Sequence, residues 1–212
     1  MRVLIASDSF KEALDAKAVC EAIARGLQKA GPHITPTLFP LADGGEGTAE
    51  ILAYHSGGQM VSHTVNDPLF RTIEAQYGRS ADGKTAFVET AAAAGLQRLK
   101  PEERNPLKTT SYGTGELMLH AIENGAKKII FGLGGSATND AGMGMASALG
   151  FRFLDEQGNI LPALGESLQK IAHIDSSHLK TDLSQVEFIT LCDVDNPLHG
   201  PRGAARVYAP QK

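Results

Sequence analysis

Much that would commit this chain to a specialised class is missing. Only two of its 212 residues are cysteines, Cys20 and Cys192. That is too few for a disulfide framework or a cysteine-based zinc site, and both are expected to be buried thiols in a reducing cytoplasm. No run of Lys or Arg exceeds two residues, and the formal net charge is −4. A sequence-independent grip on nucleic acid needs a basic face, so nucleic acid is not expected as a partner. No stretch approaches the roughly eighteen apolar residues of a membrane span. The apolar run behind Arg2 is too short for a signal-peptide core and reads better as a first strand. The seven histidines are scattered, without the spacing of a His-based metal site. The P-loop pattern G-x-x-x-x-G-K-[ST] is absent, as are internal repeats and low-complexity tracts. What remains is 42% hydrophobic and 21% charged: a soluble globular composition, long enough for one large domain or two smaller ones.

The first sixty residues alternate strand and helix. "RVLIAS" is a short apolar run of the kind covered on both faces in a parallel sheet. "DAKAVCEAIARGLQKAG" has helical spacing and stops at Gly31. "HITPTLFPLA" reads as a second strand, with Pro36 favouring an edge, and "GEGTAEILAYHSGG" as a second helix closed by Gly57 and Gly58. The pattern then changes. Residues 58–90 alternate with period two, broken at Asn66-Asp67-Pro68 and Ala81-Asp82-Gly83, which predicts three short strands in an antiparallel insert. From Ser111 the βα pattern returns, with a helix over 113–124, a strand over 127–133 and a helix from about 140. "FRFLDEQGNIL" reads as a strand with its own turn, and "VEFITLCDV" as a last apolar strand. "ARVYAPQK" resembles a strand and a turn with no closing helix, as in the first part of a longer protein. The fold class is therefore α/β, divided near residue 60 into segments 1–60 and 61–212.

Four loops rich in Asp, Ser, Thr or Lys, three of them with glycine as well, follow an apolar run, where open α/β sheets bind ligands. In "ASDSFKEAL", Asp8 or Ser9 can accept from helix amides and Lys11 can reach an anion; a plain helix cap is the rival. In "LADGGEGTAE", the adjacent Gly44 and Gly45 each weaken a helix start by roughly 1 kcal/mol relative to Ala, which points to close ligand approach. "FGLGGSATNDAGMG" puts five glycines in fourteen residues behind a strand, a turn suited to an anion. Its "GLGGSA" also fits the dinucleotide fingerprint G-x-G-x-x-A, with Asp155 as the distant acid, so an NAD-dependent dehydrogenase is one alternative. Against it, "FLDEQGN" looks like one arm of a hairpin, and Ser136, Thr138, Asn139 and Asp140 crowd the turn. In "LCDVDNPLHGPRGA", Asp193 and Asp195 leave a strand end together and can act as base, metal ligand or hydroxyl clamp; the rival is an Asx turn before Pro197. Glu89 ends "TAFVET", aimed into a cleft or capping the next turn. Thr114 reads as capping.

Together, in order, "SDSFKEAL", "ADGGEGT", "ERNPLKTTSYGTGEL", "GLGGSATNDAGMGM" and "CDVDNPLHGPRGAA" resemble the bacterial class II glycerate kinase family, across effectively the whole chain. The resemblance implies ATP-dependent phosphorylation of D-glycerate with Mg²⁺, leaning toward 2-phosphoglycerate over 3-phosphoglycerate. It implies a flavodoxin-like parallel-sheet lobe, incomplete here and begun by residues 1–60, with an inserted second α/β lobe over residues 61–212 carrying a mixed or antiparallel sheet. It further implies a cytoplasmic enzyme, with self-association left open, and family members longer than this chain. On that basis Gly134, Gly135, Ser136, Thr138, Asn139 and Asp140 are expected around the nucleotide phosphates. Lys11 would neutralise the transferred phosphoryl group, and Asp193 would be the base or a metal ligand. Ser9, Asp43, Gly44, Gly45, Glu46, Gly47, Thr48, Glu89 and Asn196 would surround glycerate. A truncated, catalytically incomplete fragment is a second alternative.

Overall fold

The apolar run behind Arg2 forms strand β1 (Arg2–Ile5) in a computed structural model that describes residues 1–10, 13–192 and 194–212. Helix α1 (Ala16–Ala30) follows, capped by the Asp15 carboxylate, which accepts from the Ala18 N–H at 2.7 Å. Such a cap is worth about 1 kcal/mol. Asp15 thus takes the capping role that the sequence offered to Asp8 or Ser9. Strand β2 (Thr35–Leu38) pairs in parallel with β1. Val3, Ile5 and Leu38 turn toward Cys20, Ala24 and Leu27 of α1. Successive strand residues point to opposite faces, so Leu4 turns away and is 65% exposed. The run expected to be covered on both faces is covered on one, because this sheet has two strands and a single helix packed on it.

Beyond helix α2 (Thr48–His55), the period-two stretch forms a hairpin of two eight-residue strands, β3 (Gln59–Asn66) and β4 (Thr72–Arg79). Its turn is held by Asp67, which accepts from the N–H groups of Leu69 and Arg71 and pairs with the Arg71 guanidinium. Strand β5 (Thr85–Glu89) meets β4 antiparallel through Gly78 and Arg79 only. It then runs parallel to β6 (Lys128–Gly132). The third predicted strand is therefore where the sheet changes from antiparallel to parallel. Strands β7 (Arg152–Leu154) and β8 (His173–Asp175) form a separate antiparallel pair. The last strand, β9 (Glu187–Leu191), pairs in parallel with β6, giving the order β3-β4-β5-β6-β9.

This five-stranded sheet is covered on both faces. Ala86, Val88 and Ile129 face Leu117, Met118, Ala121 and Ile122 of helix α4 (Tyr112–Glu123). The intervening Phe87 and Ile130 face Ala49 and Ala53 of α2. Helix α3 (Thr90–Ala94) leaves the end of β5, and α5 (Met143–Leu149) packs beside α4. Two expectations are corrected. The segment read as a closing strand is helical, α6 (Ala204–Tyr208) with a 3₁₀ turn over Ala209–Gln211; the Ala-Ala-Arg start favours helix more than Val207 and Tyr208 favour strand. Cys192 is exposed just past β9, whereas Cys20 is fully buried in α1. No helix among the described residues is long and apolar enough to cross a membrane.

Candidate active site

Strands β5, β6 and β9 run the same way and end in register, so Glu89, Gly132 and Leu191 form one row at their carboxyl edge. The loop before α2 lies on this row. A Cβ added to Gly132 would sit 2.2 Å from the Gly44 carbonyl oxygen, and one on Gly134 would sit 2.8 Å from the Gly45 Cα. Glycine is needed at both places because backbone meets backbone there, and any side chain would force the two loops apart. The glycines read from sequence as room for a ligand thus first make room for each other. Within the loop, Thr48 Oγ1 accepts from the Gly44 N–H at 3.1 Å and Asp43 accepts from the Gly45 N–H at 2.8 Å.

Two hollows flank this loop. Asp8 and Ser9 share a small cleft with Ala42, Glu46 and Gly47, between the starts of α1 and α2. Glu46, Gly47 and Glu89 line a second, open groove of about 430 Å³, together with Ser62, Gln76 and Arg98. Glu89 is buried, and it caps α2 rather than the turn that follows it in sequence: its carboxylate accepts from the Ala49 N–H at 2.6 Å. Burial raises its pKa above the ordinary glutamate value. The Ala49 and Gly47 N–H groups oppose that rise, and the charges of Glu46 and Glu50 add to it.

The turn after β6 is tied down on several sides. Thr90 Oγ1 donates to the Gly132 carbonyl, the Leu96 N–H to that of Gly135, and the Ala137 N–H to that of Ala94. Thr109 and Thr138 hydroxyls donate to the carbonyls of Ala137 and Thr109. Asp140 is buried and accepts four hydrogen bonds, from the N–H and hydroxyl of Ser111 and from the N–H groups of Gly142 and Gly144. It joins the start of α4 to the approach to α5, and Ala141 beside it is held at φ 49°. In contrast, the N–H groups of Gly134, Gly135 and Ser136 meet no acceptor among the described residues. A row of free amides in a tight turn is what an anion uses.

The geometry thus brings Ser9, Glu46, Gly47 and Glu89 around two adjoining hollows, and places Gly44 and Gly45 against the Gly132–Gly134 backbone. Asn139 is half-buried in the turn. Two expected residues are engaged elsewhere. Asp140 faces Ser111, and Asn196 is held between the Arg202 carbonyl and the Tyr208 hydroxyl, pinning its loop to α6. Lys11 and Asp193 lie outside the described residues. Sequence reasoning missed Lys212, whose ammonium donates to Ser136 Oγ at 2.6 Å and to the Thr138 carbonyl at 3.0 Å. It also missed Ser111, named only as the point where the βα pattern returns. No local signal marks either, since each acts on a partner remote in sequence.

Asp155 sits far from the role that a dinucleotide site would give it. It accepts from the N–H groups of Gln157 and Asn159, closing the turn behind β7, a strand outside the five-stranded sheet. Among the described residues no three His, Cys, Asp or Glu side chains gather as a metal cage. The Asp140 carboxylate, with four donors on it, does not fit a magnesium ligand.

The Glycerate kinase family profile matches residues 3–212. The chain belongs to the glycerate kinase family. It is 50% identical over 212 residues to a glycerate kinase of Bacillus cereus, covering all of this chain and 56% of the relative. It is 47% identical to the Glycerate 2-kinase of Escherichia coli, again over the whole chain and 56% of that protein. In three dimensions it is similar to a crystal structure from Salmonella typhimurium LT2 described as glycerate kinase 2. The TM-score is 0.90 at 47% identity, covering all of this chain and 57% of the other. The chain spans about half the length of the relatives it matches.

Proposed function

We propose that this chain carries a phosphoryl-transfer site of an ATP-dependent glycerate kinase that phosphorylates the 2-hydroxyl of D-glycerate. The observation that carries the reading is the convergence at one sheet edge of a glycine turn with free amides and a second polar loop packed onto it. Phosphoryl transfer asks a protein mainly for positioning and charge neutralisation. Gly134 to Ser136 would hold nucleotide phosphates through their N–H groups, with Thr138 and Asn139 beside them. Ser9, Asp43, Glu46, Gly47 and Glu89 would surround the acid, with Gly44, Gly45 and Thr48 shaping the loop. Lys11 would neutralise the transferred group, and Asp193 would accept the hydroxyl proton. Magnesium would enter on the phosphates, which suits an ion that keeps several waters and takes one or two carboxylates. The free thiols Cys20 and Cys192 suit a cytoplasmic setting.

The test is ADP release from ATP with and without D-glycerate, with NAD reduction followed in parallel. ADP release that requires D-glycerate supports the reading. NAD reduction, or ADP release indifferent to glycerate, contradicts it. In an active preparation, Asp193→Asn is expected to lower turnover by at least about a hundredfold, as for loss of a general base. Near-unchanged turnover would remove Asp193 from the chemical step.

A further inference from the structure

Lys212 holds a positive charge in an unusual setting. Its ammonium is half-buried, and both of its partners, Ser136 Oγ and the Thr138 carbonyl, are neutral oxygens. Among the described residues no carboxylate lies within salt-bridge distance of it. Asp140 is near enough for its charge to be felt, but its oxygens are occupied by Ser111, Gly142 and Gly144. Burial lowers the Lys212 pKa, and Asp140 opposes that only in part. Desolvating a cation is costly, and an anion bound beside it offsets that cost. An ammonium has three N–H donors, and two are used here.

The anchoring point narrows the ligand. Ser136 belongs to the row of free amides at Gly134, Gly135 and Ser136, so the ammonium and the amides address the same short turn. Both are donors, and both favour an anion with several oxygens.

We propose that Lys212 is a phosphate-binding residue of this turn, its third N–H donating to a phosphate oxygen held by the Gly134–Ser136 amides. This rests on reading the turn as the nucleotide-phosphate site. The alternative is a purely mechanical one, in which Lys212 only clamps the segment behind α6 onto the turn. The two differ in charge. A clamp acts through shape, whereas a phosphate ligand acts on the charge of what is bound and is screened by salt.

Inorganic pyrophosphate and ATP serve as probes, titrated calorimetrically into the wild type, Lys212→Met and Lys212→Arg at low and at physiological salt. Melting temperature is recorded for each protein. Losing a charge-assisted hydrogen bond is expected to weaken both probes about tenfold or more in Lys212→Met. That variant should also show a flatter salt dependence, and Lys212→Arg should recover most of the loss. This pattern, with the variants as well folded as the wild type, supports the proposal. Wild-type affinity and an unchanged salt dependence in Lys212→Met overturn it while leaving the phosphate reading of the turn standing. An affinity loss that tracks a fall in melting temperature, with the salt dependence kept, overturns it in favour of the clamp. A folded wild type that binds neither probe overturns the phosphate reading, and the proposal with it.

Discussion

The β1–β2 sheet and the five-stranded sheet begin from the same kind of sequence, a short apolar run ahead of a polar loop, and end in different states. In the larger sheet, Ile129 is fully buried and its neighbours alternate between α4 on one face and α2 on the other. In the smaller, Ile5 is buried under α1 while Leu4 beside it is 65% exposed. Nearby Phe10, Leu14 and Phe39 are exposed as well. An apolar run thus specifies a strand without specifying how many faces are covered; that depends on how many strands and helices assemble around it. The candidate site lies along the seam, where loops from the thinner layer rest on the edge of the thicker one.

The largest expected difference comes from paired truncations. Ile129→Ala should destabilise the chain by about 2–5 kcal/mol, as for other buried aliphatic deletions. Leu4→Ala should stay within about 0.5 kcal/mol. Urea denaturation of the two variants measures the contrast, and equal costs would break it. Asp140→Ala comes next, expected at about 3 kcal/mol because it strands donors from Ser111, Gly142 and Gly144 inside the protein. An effect below about 0.5 kcal/mol, the level of an ordinary surface change, would show that the thick layer is not locked through this residue.

A smaller effect is expected at the seam. The Glu89 pKa is raised in the folded chain, first by burial. The folded state therefore holds this proton more tightly than the unfolded state, and stability falls as pH rises from the ordinary glutamate value to the folded one. Glu89→Gln removes that dependence, so the variant should gain on the wild type as pH rises from acid to neutral. Melting curves across that range decide it; a constant gap would remove Glu89 as a source of pH dependence.

The smallest effect belongs to the rim of the thick layer, where His63 and His120 stack with ring centroids 3.8 Å apart and the Tyr77 hydroxyl meets His120 Nδ1. Burial, then the charge of His63, lowers the His120 pKa, while Glu123 opposes. Stability should fall as pH drops below about 6.5, where the unfolded histidine takes up its proton first. His120→Gln should reduce that slope, read by denaturation at neutral and mildly acid pH. An unchanged slope would place it on other groups.

Local rules made much of the fold legible. Helical spacing and Gly31 located α1, and period-two alternation located the β3–β4 hairpin. The glycine turn after β6 was visible because five glycines in fourteen residues follow a strand. What stayed hidden depends on distant partners. Asp140 reads as one of the residues around the phosphates until Ser111, 29 positions away, donates to it. Gly132 and Gly44 read as ligand space until their loops touch. Lys212 reaches Ser136 across 76 positions, and nothing in "VYAPQK" announces it. The covered face of β1 could not be read at all, since coverage is a property of neighbours and not of the run itself.

The most direct test of the central claim is ³¹P NMR of this chain incubated with ATP, Mg²⁺ and D-glycerate. A site of the kind proposed at the seam predicts a growing phosphomonoester signal coupled to the proton on C2 of glycerate, matched by loss of the ATP γ-phosphate. Loss of γ-phosphate to inorganic phosphate alone, or no change from a folded sample, would contradict it.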